Sequence, residues 1–102
     1  MSHKIDRRET ERLRYKLRLF VSGDAPNSRI ARENLQRLQR RLDDAVITVE
    51  IVDVMQEPQK ALANGIFLTP ALQVLGPEPG AVIYGNLNDA DTLLALFPGA
   101  QQ

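Results

Sequence analysis

Two alternating segments separated by one helical segment constrain the fold of this chain more than any other feature. Apolar side chains recur at every second residue over 15–21 and 46–54, which is the period of a β-strand. Between these segments runs one apolar stripe at helical spacing, formed by Ala31, Leu35, Leu38 and Leu42. A strand, a helix and a strand joined by short loops make a right-handed unit, so we expect the two strands to be parallel.

The second half of the chain adds a short helix, a hairpin and a final helix. Pro58 is tolerated in the first turn of a helix that Asn64 and Gly65 end. Residues 71–75 and 81–84 are two predicted strands, and the turn formers between them predict an antiparallel hairpin with a five-residue connection. The last helix has an apolar face made of Leu93, Leu94, Leu96 and Phe97.

The order βαβαββα is that of an α/β protein with a thioredoxin-like pattern. It predicts a four-stranded mixed sheet with helices on both faces. Side chains that accept from early helical N–H groups are expected to cap two of the helices. We expect Asn27 or Ser28 to cap the first, and Asn88 or Asp89 to cap the last.

Composition argues against an enzyme. The 102-residue chain has no cysteine, which excludes a disulfide framework, a zinc–thiolate site and every thiol mechanism. Its one histidine, His3, stands in a polar tail, so the usual general base and commonest metal ligand is missing from the predicted domain. A serine such as Ser28 would lack an adjacent base. We therefore expect no catalytic residue, no metal and no cofactor.

Charge is divided unevenly along a chain whose net charge is zero. Residues 1–41 hold twelve basic and five acidic side chains, whereas residues 42–102 hold one lysine and eight acids. This charge asymmetry predicts one of two things: two oppositely charged faces that are merely solvated, or a basic face that attracts an acidic partner. Nucleic acid is disfavoured because few aromatic residues stand among the basic ones.

The ends of the chain read as polar tails. We expect residues 1–14 and 99–102 to flank a domain over 15–98. No apolar run is long enough to span a bilayer, and the first residues have no apolar core of the kind found in secretory signals. We therefore expect a cytoplasmic protein without membrane contact.

Several segments, taken in order, resemble the KaiB family of circadian clock proteins. The strand and loop over 19–28 resemble the family's first strand and its Gly-x-x-Pro-Asn-Ser loop. Further similar segments are Val52-Asp53-Val54, Glu57-Pro58-Gln59, Leu68-Thr69-Pro70-Ala71-Leu72, the turn at Pro77 and Pro79, and Gly85-Asn86-Leu87. The N-terminal sensory domain of the clock-associated histidine kinase SasA is a relative with the same pattern. A kinase fragment is the less expected reading, because the chain stops at Gln102 without a linker.

The resemblance implies a binding protein, not an enzyme. It implies docking on a KaiC-type hexameric ATPase, with KaiA or a SasA-like histidine kinase as further partners. The other function left open is a stress-related or chaperone-like paralogue without a clock role. The oligomeric state also stays open between a monomer and a dimer or tetramer.

The resemblance also implies particular surface residues. Those near the start of the first helix are Asn27, Arg29 and Arg32, and those in the short helix are Lys60, Ala61 and Asn64. Each of them is also an ordinary solvated residue in the absence of a partner. In thioredoxin-like folds the position of Pro70 carries a cis-proline, which makes Pro70 the structural cis-proline candidate.

The family is known in two folds, a thioredoxin-like monomer that binds KaiC and a tetrameric ground state whose C-terminal half is rearranged. Members that switch carry Gly-Leu-Asp where this chain has Leu96, Phe97 and Pro98. Leucine favours a helix over glycine by about 1 kcal/mol, so Leu96 biases the last helix toward forming. Pro98, which stands in place of the aspartate, is the second position expected to bias the fold. We expect the thioredoxin-like fold at rest, with the rearranged ground state as the alternative.

Overall fold

Four strands form one mixed sheet in the computed structural model, which describes residues 14–42 and 46–97. The strands are β1 (Arg14–Val21), β2 (Val46–Asp53), β3 (Ala71–Gly76) and β4 (Val82–Tyr84), and their spatial order is β2-β1-β3-β4. The helices are α1 (Pro26–Arg41), α2 (Pro58–Ala63) and α3 (Ala90–Ala95). The predicted α/β arrangement is thereby confirmed, in its thioredoxin-like form.

Strand β1 holds the sheet together because it pairs on both sides. It runs parallel to β2 from Arg14↔Val46 to Val21↔Asp53, as the βαβ prediction requires. It runs antiparallel to β3, with a bulge between Lys16 and Leu17. Strands β3 and β4 pair antiparallel as the predicted hairpin, with five residues between them.

The first of two cores lies between the sheet and the pair α1 and α3. Leu17, Leu19 and Val21 point to this side of β1 and are buried. The predicted stripe of α1 packs onto them, and all four of its members are buried. Phe97 packs edge-to-face on Tyr15 at a ring separation of 4.7 Å, which closes this core at its far end.

The second core lies on the opposite face, beneath α2. Phe20 is fully buried there among Val52, Ala61, Ile66 and Ala71. Helix α2 has six residues, of which only Ala61 is buried. A helix this short is about 9 Å long, so it covers only part of the sheet face.

The start of α1 differs from the sequence prediction. The helix begins at Pro26, with Ala25 at the N-cap and no side chain capping it, so neither Asn27 nor Ser28 is the cap. Proline suits the first helical position because its missing N–H would have no partner there. Ser28 is buried inside the first turn, where its Oγ accepts from the N–H of Ser22 at 3.0 Å.

The last helix begins as predicted, with Asp89 as its cap. Its carboxylate accepts from the N–H and the hydroxyl of Thr92 at 3.1 and 2.7 Å, and the hydroxyl bond is the main cause that lowers the pKa of Asp89. Leu96 follows as the half-buried C-cap residue. Pro98, the other fold-bias position, lies outside the described residues.

Some strands begin or end one residue away from the predicted positions. Arg14, assigned to the tail, is the first residue of β1, and Gly76 belongs to β3 and not to the turn. The rest of the two predicted tails falls outside the described residues. The Thr69–Pro70 bond is cis, and so is Gly76–Pro77, which the sequence analysis did not single out.

We predict that Leu19→Ala lowers the free energy of unfolding by about 3 kcal/mol, because a fully buried leucine leaves a cavity when truncated. Denaturant unfolding followed by circular dichroism measures this. Leu62→Ala is the matched control, since the same atoms are removed from a side chain that is 63% exposed. Equal losses in the two variants would contradict the assignment of Leu19 to the core.

Candidate partner-binding surface

Three loops meet where β1 and β2 end, and we call this part of the molecule the carboxyl edge. It comprises Asp53 at the end of β2 together with the loop residues 22–25, 54–57 and 66–70. The hydroxyls of Ser22 and Thr69 lie 2.6 Å apart and join the first loop to the third. Asp53 joins the first loop to the second, because its Oδ1 accepts from the N–H groups of Gly23 and Met55 at 3.1 and 2.9 Å. The carboxyl edge is therefore a cross-linked surface.

Large apolar side chains are exposed on and beside the carboxyl edge. Phe67 and Leu68 are 76% and 68% exposed, although they stand between the buried residues Ile66 and Pro70. Met55 and Leu62, in the same β2–β3 connection, are also exposed. We call Met55, Leu62, Phe67 and Leu68 the apolar cluster. Four of the six large apolar side chains exposed in the described residues belong to this one connection, and contiguous exposed apolar surface is typical of interaction sites.

The predicted residues of α1 lie in its first two turns, next to the carboxyl edge. Asn27 is exposed, and its Oδ1 accepts from Nδ2 of Asn86 at 3.4 Å. Arg29 is exposed and has no ion pair with any residue in the described ranges. Arg32 is half-buried, 3.8 Å from the Asp24 carboxylate, and its buried Nε has no partner in the described structure. Arg29 is thus the most available cation of this group.

The predicted residues of α2 have contacts within the protein. Lys60 Nζ lies 3.1 Å from Oε2 of Glu50, and Asn64 Oδ1 accepts from Arg18 and Gln73 at 3.4 and 3.3 Å. Glu50 completes this network by accepting from Nε of Arg18 at 2.5 Å through its other oxygen. These side chains fix α2 to the sheet, so their removal would disturb the fold and a docking surface together.

Ala61 does not belong to any exposed surface. It is buried against Phe20 in the second core, so its side chain is not available to a partner. Because α2 has only six residues, the helical period turns few of its side chains toward the sheet. Ala61 is the buried one, and its small side chain lets the helix approach the sheet closely.

The structure does not bring the six predicted residues into one patch. Those of α1 and those of α2 lie on opposite faces of the sheet, and the carboxyl edge runs between them. Sequence reasoning missed the apolar cluster itself. One signal was available: Phe67 and Leu68 continue an apolar run directly before Thr69-Pro70, where a loop is expected to be polar.

The described residues offer little to catalysis. Within residues 14–42 and 46–97 no group of three or more histidine, cysteine or acidic side chains is placed to hold a metal ion. Ser28 Oγ receives a backbone N–H and is buried, so it is not poised as a nucleophile. No helix of the described part is long and apolar enough to cross a membrane.

Comparison with solved structures defines the class of domain. A mutant thioredoxin from Halobacterium salinarum superimposes with a TM-score of 0.69 at 21% identity, covering 86% of this chain and 75% of that one. The N-terminal domain of Synechococcus elongatus SasA gives a TM-score of 0.63 at 23% identity, covering 86% of each chain. At these identities the likeness shows the fold alone. The chain is a thioredoxin-like domain without the cysteines of thiol exchange.

Sequence comparison defines the family. A family model described as the KaiB domain matches residues 18–98. A circadian clock oscillator protein KaiB from Nostoc punctiforme is 34% identical over 80 residues, which are 78% of this chain and 77% of the relative. Its counterpart from Gloeothece citriformis is 34% identical over 85 residues, 83% and 80% of the two chains. The chain belongs to the KaiB family, as the motifs indicated.

The polar network beneath α2 predicts a pH effect on stability. Hydrogen bonds from Arg18 first, and from Lys60 second, lower the pKa of Glu50 from the ordinary value of 4.5. A carboxyl group with a lowered folded pKa stabilises the fold fully above its unfolded pKa. It loses that contribution as the pH falls through the folded value.

We therefore expect the parent to exceed Glu50→Gln in stability at neutral pH, and the difference to shrink as the pH is lowered below 4.5. Urea unfolding at a series of pH values measures it. Asp24→Asn is the control, because that carboxylate is exposed and has only a 3.8 Å ion pair. A difference for Glu50→Gln that stays constant with pH would contradict the role of the network.

Proposed function

We propose that this chain is a non-enzymatic regulatory protein that docks on a KaiC-type ATPase, in a circadian clock or a signalling system derived from one. One observation carries the proposal: a member of the KaiB family exposes four large apolar side chains on and beside one cross-linked edge of its sheet. The curated relatives are named circadian clock oscillator proteins, which supports a clock-related role. We propose a cytoplasmic protein.

The chemistry of the carboxyl edge suits docking. The apolar cluster offers area that gains free energy when it leaves water. The exposed Arg29, at the neighbouring start of α1, adds a charge that can orient an approaching partner. Hydrogen bonds among the three loops hold the surface in one shape before contact. Apolar anchors with a charged rim are the usual anatomy of a protein interface.

A regulatory role also agrees with the reactive groups of the chain. Cysteine is absent and His3 is the one histidine, so thiol chemistry is excluded and a histidine base is missing from the thioredoxin-like domain. The family comparison supports the same role, because the curated relatives are named as oscillator proteins. KaiA or a SasA-like histidine kinase would be secondary partners of the same surface.

The first test concerns the apolar cluster. We expect Leu68→Ser to weaken binding to a purified hexameric KaiC-type ATPase roughly tenfold, because an exposed apolar anchor is lost at no cost to the core. Surface plasmon resonance measures the affinity. Leu75→Ser is a useful comparison, since Leu75 is half-buried in β3 and away from the carboxyl edge. Unchanged binding by Leu68→Ser would place the docking surface elsewhere.

The second test concerns the charge beside the cluster. We expect Arg29→Glu to weaken the same association several-fold, with a smaller effect at high salt and a nearly unchanged melting temperature. Arg40→Glu is the matched control, because it makes the same change on an exposed residue at the other end of α1. Arg32→Glu is less clean because Arg32 is half-buried.

The stress-related alternative would be favoured if this protein bound no KaiC-type ATPase but suppressed the aggregation of a denatured client protein. The apolar cluster suits that role too, and Leu68→Ser would then reduce aggregation suppression instead.

A further inference from the structure

On the sheet face that carries α2, the part remote from the carboxyl edge is exposed in the described structure, at Arg14, Lys16 and Thr48. The short helix sits over the ends of the strands, above Phe20, Val52 and Ala71. The row of Arg18 is bonded to Asn64 at the end of α2, so the remaining rows of the same face are those of Lys16 and Arg14. Thr48, paired with Lys16 in the neighbouring strand, is exposed there. We call this part of the sheet the open face.

The open face carries a line of cations. Side chains two residues apart on a strand share a face and are separated by about 6.7 Å, so Arg14, Lys16 and Arg18 form a regularly spaced row. Arg18 is occupied by the Glu50 carboxylate. Arg14 and Lys16 are exposed and form no ion pair within the described structure.

The nearby carboxylate of Glu50 compensates only Arg18 in this row. Glu50 uses one oxygen for Arg18 and the other for Lys60. Arg14 and Lys16 are therefore two uncompensated positive charges, in a region where the described neighbours in the sheet supply no further acid.

A groove runs beside the row. It has a volume of about 460 Å³ and is lined by Arg14, Lys16, Leu75, Gly76 and Pro77. The stem of Lys16 packs beside Gly76, because a Cβ at that glycine would lie in ordinary contact with the lysine Cδ at 3.9 Å. One wall of the groove carries the two cations and the other wall is apolar. These two walls suit a bound peptide in which acidic and uncharged residues alternate.

We infer that the open face binds an acidic peptide segment of a protein partner, lying extended along β1. In an extended peptide every second side chain points the same way with the same spacing of about 6.7 Å, so alternating carboxylates match Arg14 and Lys16. The face is distinct from the carboxyl edge, and the inference does not depend on docking to a KaiC-type ATPase.

A peptide fits this face better than a nucleic acid. Single strands are bound by aromatic side chains on which the bases stack, together with cations. Tyr15 points into the opposite core, and Phe20 is buried beneath α2. The open face thus has the charge for either ligand but lacks the stacking surface for bases.

Fluorescence anisotropy with labelled probes tests the inference. The first probe is a peptide in which glutamate alternates with threonine, and the second has the same composition with all glutamates at one end. We expect the alternating peptide to bind more tightly, with an affinity that falls as salt is raised. Equal affinity for the two peptides would overturn the extended alignment along β1.

The decisive comparison uses two double variants of the full chain with the same net charge. We expect Arg14→Gln with Lys16→Gln to weaken the alternating peptide roughly tenfold. Arg37→Gln with Arg40→Gln, on exposed positions of α1, should change it by less than about twofold. Circular dichroism confirms that both variants fold.

Two outcomes would overturn the inference. Equal weakening by both pairs would mean that net charge alone attracts the peptide. Tighter binding of a single-stranded oligothymidylate than of the alternating peptide, at the same ionic strength, would make the open face a nucleic-acid surface.

Discussion

Strand β1 is the element on which both cores depend, because it contributes the largest buried side chains of each and lies between the strands that complete them. Leu17, Leu19 and Val21 form the floor of the first core, and Phe20 is the centre of the second. The same strand pairs with β2 on one side and β3 on the other. A shift of one residue in its register would exchange the two faces and place Lys16 and Arg18 in the first core. The register is therefore fixed by burial on both sides.

The parts of the fold that follow from the spacing of apolar residues were visible in the sequence. The alternation of β1, the stripe of α1 and the hairpin turn needed no tertiary information, because the hydrophobic effect selects one face in each. The start of α1 was not visible. Ser28 has the chemistry of a cap, but it lies buried within the first turn and its Oγ accepts from the N–H of Ser22, a contact that only the folded loop supplies. The cis bond at Gly76–Pro77 was equally not visible in the sequence.

The candidate surface was predictable only in part. Resemblance indicated two groups of residues that lie on either side of the carboxyl edge, and their part in binding stays a prediction. It did not separate Arg29, which is free of ion pairs in the described structure, from Lys60, which binds Glu50. That distinction depends on the cross-strand register that places Glu50 beside Arg18. The exposure of Leu68 depends on the path of a loop, and a loop has no regular spacing of apolar residues from which exposure could be predicted.

The position of Asp53 has a consequence for the kinetics of association. One carboxylate oxygen holds two backbone N–H groups from two loops, and the backbone oxygen of the same residue accepts from Gln56 and Glu57. Loops restrained in this way have little conformational entropy left to lose when a partner arrives. The rate of encounter is then set by diffusion and charge. Differences among variants of the carboxyl edge should accordingly appear in the lifetime of the complex, as slower or faster dissociation.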